Sequence, residues 1–135
     1  MGYRSDVQAL IYPPSGDQNL LEYDKLKLLM NTTFKDVFEA WGEEYFSWLP
    51  NVRVLQFSAN SVKWYDSFPE VDLFPKFLAD VQKLGYEYEF IRIGEEDDDL
   101  ETDSTGDANH YMYVERTIQV NFWNSKWLST GITYW

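Results

Sequence analysis

An α+β fold is predicted by three observations on the sequence. Two stretches carry apolar residues at helical three- and four-residue spacing. Five others read as strands, the first and the long fifth with apolar and polar residues alternating. The two kinds interleave along the chain, with no repeat and no linker between them.

Tyr3 to Tyr12 reads as the first strand, Val7, Ala9 and Ile11 alternating with Asp6, Gln8 and Leu10, and the cluster Pro13-Pro14-Ser15-Gly16-Asp17 ends it. Leu26, Leu29, Met30, Phe34, Val37, Phe38, Trp41 and Tyr45 then form one helical stripe, with a kink at Asn31-Thr32-Thr33 and an end at Pro50-Asn51. Val52 to Ser58 and Ser61 to Tyr65 read as a hairpin turning at Ala59-Asn60. A second helix opens at Phe68-Pro69-Glu70 with Val71, Phe74, Phe77, Leu78, Val81 and Leu84 on its stripe. Pro75 suggests that its regular part starts later than Pro69, and Gly85 terminates it. Tyr86 to Ile93 is a fourth strand and His110 to Trp123 a long fifth. A short strand is expected around Ile132 to Trp135. The first six elements have the β-α-β-β-α-β order of a ferredoxin-like fold, with an additional C-terminal antiparallel strand extending the sheet.

At 135 residues the chain suits one domain spanning 1–135. Its ten Tyr, nine Phe and six Trp supply a core without staples, and most of them are expected inside it. Cysteine is absent, which removes disulfides, thiolate metal sites and cysteine nucleophiles. The longest apolar runs fall short of the roughly 20 residues of a membrane span, and Met1 to Asp6 lacks the apolar core of a signal peptide. Asp6 stands where a myristoylation signal wants Ser or Thr.

The net charge is −12 and is concentrated. Residues 95–107 hold eight acids and no base, and they are expected as a hairpin loop between the fourth and fifth strands. A surface of this sign repels nucleic acid and anionic membrane and attracts basic protein surfaces. Glu95, Glu96, Asp97, Asp98, Asp99, Glu101 and Asp103 are therefore the candidate partner-binding residues, against the plain alternative of a solubilising loop. Calcium is a further reading, because Asp99, Glu101 and Asp103 stand at alternate positions. The EF-hand pattern nevertheless fails at Ser104 and His110. A magnesium-dependent catalytic site lacks a positioned base or lysine.

No nucleophile elbow, phosphate loop or dinucleotide fingerprint occurs. His110 is the single histidine, so zinc and an acid–base triad both lack partners. Val62-Lys63-Trp64-Tyr65 and Tyr86-Glu87-Tyr88 suggest an aromatic face, but Glu87 and Glu89 oppose base stacking, so core or protein-contact duty is expected. No catalytic residue, metal or cofactor is assigned.

Met1-Gly2-Tyr3-Arg4-Ser5-Asp6-Val7, Leu26-Lys27-Leu28-Leu29-Met30 with Thr33-Phe34, Val62-Lys63-Trp64-Tyr65, and Phe90-Ile91-Arg92-Ile93-Gly94-Glu95 resemble a group of small bacteriophage and prophage proteins over most of residues 1–104. The resemblance carries over no functional residue. It implies a setting, the cytoplasm of a bacterial host, where small acidic phage proteins inactivate host factors, some by imitating DNA, as several anti-CRISPR proteins do. The expectation is a non-enzymatic inhibitor that binds a basic surface of a host nucleic-acid-binding or defence protein without touching nucleic acid or membrane. The alternative is a calcium-stabilised structural or accessory phage protein.

Overall fold

A computed structural model of the chain describes residues 2–13, 23–50, 53–96, 98–105, 111–115, 117–120 and 133–134. The chain is α+β, with three α-helices among the described residues and a six-stranded antiparallel sheet in the order β5-β4-β1-β3-β2-β8. The strands are β1 (Ser5–Tyr12), β2 (Phe46–Leu49), β3 (Val54–Val62), β4 (Glu87–Ile93), β5 (Leu100–Ser104), β6 (Met112–Glu115), β7 (Thr117–Val120) and β8 (Thr133–Tyr134). The helices are α1 (Tyr23–Met30), α2 (Lys35–Trp41) and α3 (Pro69–Lys83).

The first helical stripe divides where the weak helix formers stand. Asn31 Nδ2 and Thr32 Oγ1 donate to the carbonyls of Lys27 and Leu28 at 2.9 and 2.7 Å, which competes with continued backbone pairing and separates α1 from α2. The expected extension to Tyr45 is cut short at Gly42, whose φ of 101° closes α2. A single 3-10 turn follows, and Phe46–Leu49 becomes a strand with Phe46 and Trp48 in the core.

The expected hairpin at Ala59-Asn60 is not a turn. β3 runs through both residues, and its first half lies between β1 and β2. The turn residues mark a bulge instead. Ser5 lies opposite Val62 and Val7 opposite Ala59, so β3 carries one extra residue there. Ser61 takes the strain with φ of 56°. Its N–H donates to Asp6 Oδ1, and its carbonyl accepts from Arg4, each at 2.8 Å.

α3 starts at Pro69, earlier than Pro75 suggested. At the first helical position Pro69 needs no N–H donor, and Pro75 lies on the exposed side. Val71, Phe74, Phe77, Leu78 and Val81 are buried, while Leu84, expected on the same stripe, is exposed beside the terminating Gly85.

The long fifth strand is the largest correction. Met112–Glu115 and Thr117–Val120 pair as a separate antiparallel ribbon, Met112 opposite Val120 and Val114 opposite Ile118. Pairing symmetric about one position keeps even residues opposite even residues. Met112, Val114, Ile118 and Val120 therefore share one face, as they would in a single strand, and the alternation is the same in both cases. The expected tail strand is present as β8, beside β2.

The sheet separates two cores. The helices cover one face through Val7, Ala9, Ile11, Phe57, Phe74 and Phe90, and Trp64 belongs to this aromatic cluster, stacked on Trp41 at 5.4 Å. The β6–β7 ribbon covers part of the other face, where Leu10, Tyr12, Leu49, Val54 and Ile91 meet Tyr111 and Met112.

Candidate functional site

Within the acidic segment, Leu100–Ser104 is a strand. Leu100–Ser104 has no apolar alternation and a composition poor in strand formers, so it reads as loop. Pairing with β4 makes it a strand: Ile93 lies opposite Leu100, Arg92 opposite Glu101 and Phe90 opposite Asp103. Glu101 and Asp103 consequently project on the helix-covered face, and Leu100 and Thr102 on the other.

Arg92 organises the hairpin, and the acids alone did not point to it. Its two terminal nitrogens donate to Asp99 Oδ1 and Oδ2 at 2.7 and 3.2 Å. Its Nε donates to Glu101 Oε1 at 3.0 Å, and Nη1 reaches Ser5 Oγ at 3.1 Å. A forked, bidentate guanidinium is the cation best suited to bind a carboxylate in one orientation. From the opposite side the Tyr3 hydroxyl donates to Asp99 Oδ2 at 2.6 Å and accepts from the Glu96 N–H at 3.1 Å. The Arg92 guanidinium and the Tyr3 hydroxyl hold the Asp99 carboxyl at about 2, below the usual carboxylate range. Asp99 in turn raises both the Arg92 guanidinium and the Tyr3 phenol.

Gly94 closes this knot. Its N–H donates to the Asp99 carbonyl at 2.8 Å, and a side-chain carbon there would collide with the Asp99 carboxylate and the Tyr3 hydroxyl. At the far end of β5, burial and a 2.8 Å hydrogen bond from its hydroxyl to Asp103 push the Tyr88 phenol up to about 12. Thr105 Oγ1 donates to the Glu87 carboxylate.

The candidate acids therefore separate into two groups. Glu95 accepts the Arg4 N–H at 2.8 Å, and Asp99, Glu101 and Asp103 are bound by Arg92, Tyr3 and Tyr88. Glu96 and Asp98 are exposed, and among the described residues no group binds their carboxylates. Asp97 and His110 lie outside the described residues.

Of the three alternate acids that suggested calcium, Glu101 and Asp103 lie on β5 and Asp99 just before it, their carboxylates bound by Arg92, Tyr3 and Tyr88. Among the described residues no three His, Asp or Glu side chains converge on a metal position.

Two grooves flank β5. On the helix-covered face, α3 stops short of the strand and leaves a cavity of about 260 Å³. Trp64, Phe74 and Phe90 line it, with Asp66, Glu101 and Asp103 also in its wall. On the other face a more open cavity of about 500 Å³ is lined by Ile91, Leu100, Met112 and Val114, with Thr102, Ser104, Glu89 and Asp103 as its polar wall.

In the wall of this second groove stands Glu89, an acid only 3% exposed. Its carboxylate accepts the Tyr12 hydroxyl at 2.6 Å and the Tyr111 and Met112 N–H groups at 3.1 Å each. It fastens the ribbon to the sheet.

Among the described residues no helix is long and apolar enough to cross a membrane. No family model, curated protein or solved structure matches the chain.

Proposed function

We propose that the chain is a non-enzymatic binding protein whose acidic β4–β5 hairpin engages a basic surface of a nucleic-acid-binding or defence protein in the cytoplasm of a bacterial host, as a phage-encoded inhibitor. One observation carries this reading. The hairpin is clamped by Arg92, Tyr3 and Gly94 while Glu96 and Asp98 remain exposed, so a dense negative field is held in fixed geometry. Preorganised charge steers association with a basic partner and loses little entropy on contact. The phage setting rests on the sequence resemblance alone.

We also infer a ferredoxin-like frame for the domain. It is supported by the succession β1, α1–α2, β2, β3, α3, β4 and by the central strand order β4-β1-β3-β2, with β5 and β8 as flanking additions.

Affinity capture from bacterial lysate at low and high salt tests the function. The immobilised chain should retain a nucleic-acid-binding protein that salt releases. The double substitution Glu96→Gln with Asp98→Asn should weaken retention and flatten its salt dependence. Identical capture by the variant and the native chain would overturn the proposal.

A further inference from the structure

We infer that the outer edge of β5 accepts an extended peptide strand in which cationic and apolar side chains alternate. This deepens the binding reading above and rests on it, naming the form of the partner segment.

The argument starts from the ladder. The Gly94 N–H donates to the Asp99 carbonyl and the Thr105 N–H to the Tyr88 carbonyl, so the odd positions of the segment turn their backbone groups toward β4. By the alternation of an antiparallel strand, Thr102 and Ser104 turn their N–H and C=O groups outward. Among the described residues no strand pairs with that edge. Such an edge is a template for strand addition: main-chain bonds give affinity and alternate side chains give selectivity.

The two grooves then define the side chains. A residue placed opposite Glu101 or Asp103 projects over the helix-face groove, beside Trp64 and three carboxylates, Asp66, Glu101 and Asp103, with no cation among its lining residues. A Lys or Arg side chain fits there, its stem on the aromatic wall and its charge beside the exposed Asp66, since Glu101 and Asp103 are already bound by Arg92 and Tyr88. A residue opposite Thr102 projects over the other groove, beside Leu100 and Val114, which are 50% and 39% exposed. An apolar side chain covers these two. A second copy of this chain is a poor occupant, because antiparallel self-pairing about Thr102 would set Glu101 against Asp103.

The test titrates the full chain with the peptide Lys-Val-Lys-Val-Lys-Val-Lys and with Lys-Lys-Lys-Lys-Val-Val-Val, which has the same composition and charge. The alternating peptide should bind about tenfold tighter, the worth of one main-chain hydrogen bond to the edge. In antiparallel addition, with lysines opposite Glu101 and Asp103, the backbone N–H groups of the valines face β5 and those of the lysines face away. Methylation of the valine nitrogens should therefore abolish the preference, and methylation of the lysine nitrogens should leave it. Asp66→Asn, at an exposed position, should weaken the alternating peptide. Equal, salt-sensitive binding of all these peptides would overturn strand addition while leaving attraction of basic partners intact. Binding of none would overturn the inference, and the lysate capture would then decide the broader reading alone. A stable dimer in sedimentation, with the β5 amides protected from exchange, would also overturn it.

Discussion

Glu89 and Arg92 stand three residues apart on β4, face opposite sides of the sheet, and meet their charges in opposite ways. Glu89 is sealed under the β6–β7 ribbon and is bound by neutral donors, one phenol and two backbone N–H groups. Arg92 lies nearer solvent, its side chain 15% exposed, and is bound by two carboxylates. The first arrangement uses a charge to satisfy backbone groups that the incoming ribbon would otherwise bury unpaired. The second uses a base to keep neighbouring acids from driving a hairpin apart. Burial separates the two cases. Where water is excluded, an unmet partner costs its full desolvation. Where water remains, screening reduces the worth of each pair.

The largest expected effect follows on the buried side. Glu89→Gln places an NH2 group where an oxygen accepts backbone N–H groups, so at least one buried donor is left unmet. The cost should be about 2 kcal/mol in denaturant unfolding. Amide exchange at Tyr111 and Met112 should accelerate with it. An unchanged midpoint would show that the ribbon is not fastened through Glu89.

Arg92→Gln should cost less, roughly 1 kcal/mol at neutral pH after solvent screening, and more at low salt than at high. Its pH dependence has a definite sign. Asp99 titrates in the fold at about 2, below the ordinary 3.8. Its contribution is therefore present above about pH 4 and is lost as pH falls toward 2. The stability difference between the native chain and Arg92→Gln should shrink over that window. A difference that stays constant from pH 5 to pH 2 would separate Arg92 from Asp99.

The smallest effect belongs to the far end of β5. Tyr88→Phe removes one hydrogen bond to Asp103, a loss of about 0.5–1 kcal/mol at neutral pH. Because the folded phenol titrates at about 12 rather than 10.0, the native chain should lose stability as pH rises through that interval. The variant should lack this alkaline step, and the two chains should converge there. Parallel alkaline curves would remove the Tyr88–Asp103 contact from the account.

Much of the fold was legible in the residues. The stripe of Val71, Phe74, Phe77, Leu78 and Val81 and the alternation of Val7, Ala9 and Ile11 report local periods that one face must bury. The Asn31-Thr32-Thr33 break was visible for the same reason, since its hydrogen bonds reach only four residues back. Phe46–Leu49 was not separable from the helix before it, because the reversal depends on the backbone angle of Gly42. Gly42 is the kind of helix stop that Gly85 is, but the apolar stripe runs on past it to Tyr45. Of the site, the acids were visible but their partners were not. Arg92 and Tyr3 meet Asp99 across seven and 96 positions of sequence, and only the β4–β5 register with the entry of β1 brings the three together.

The sequence by itself determined that this protein is α+β and that its negative charge is gathered on one short segment, because composition and local period do not depend on what lies opposite. Tertiary structure alone decided that Leu100–Ser104 is an edge strand, that four acids of the segment are bound from within, and that Met112–Glu115 and Thr117–Val120 pair as a ribbon. Those outcomes turn on which strand lies across from which. An alternating pattern is the same whether its partner is a neighbouring strand, its own second half or water.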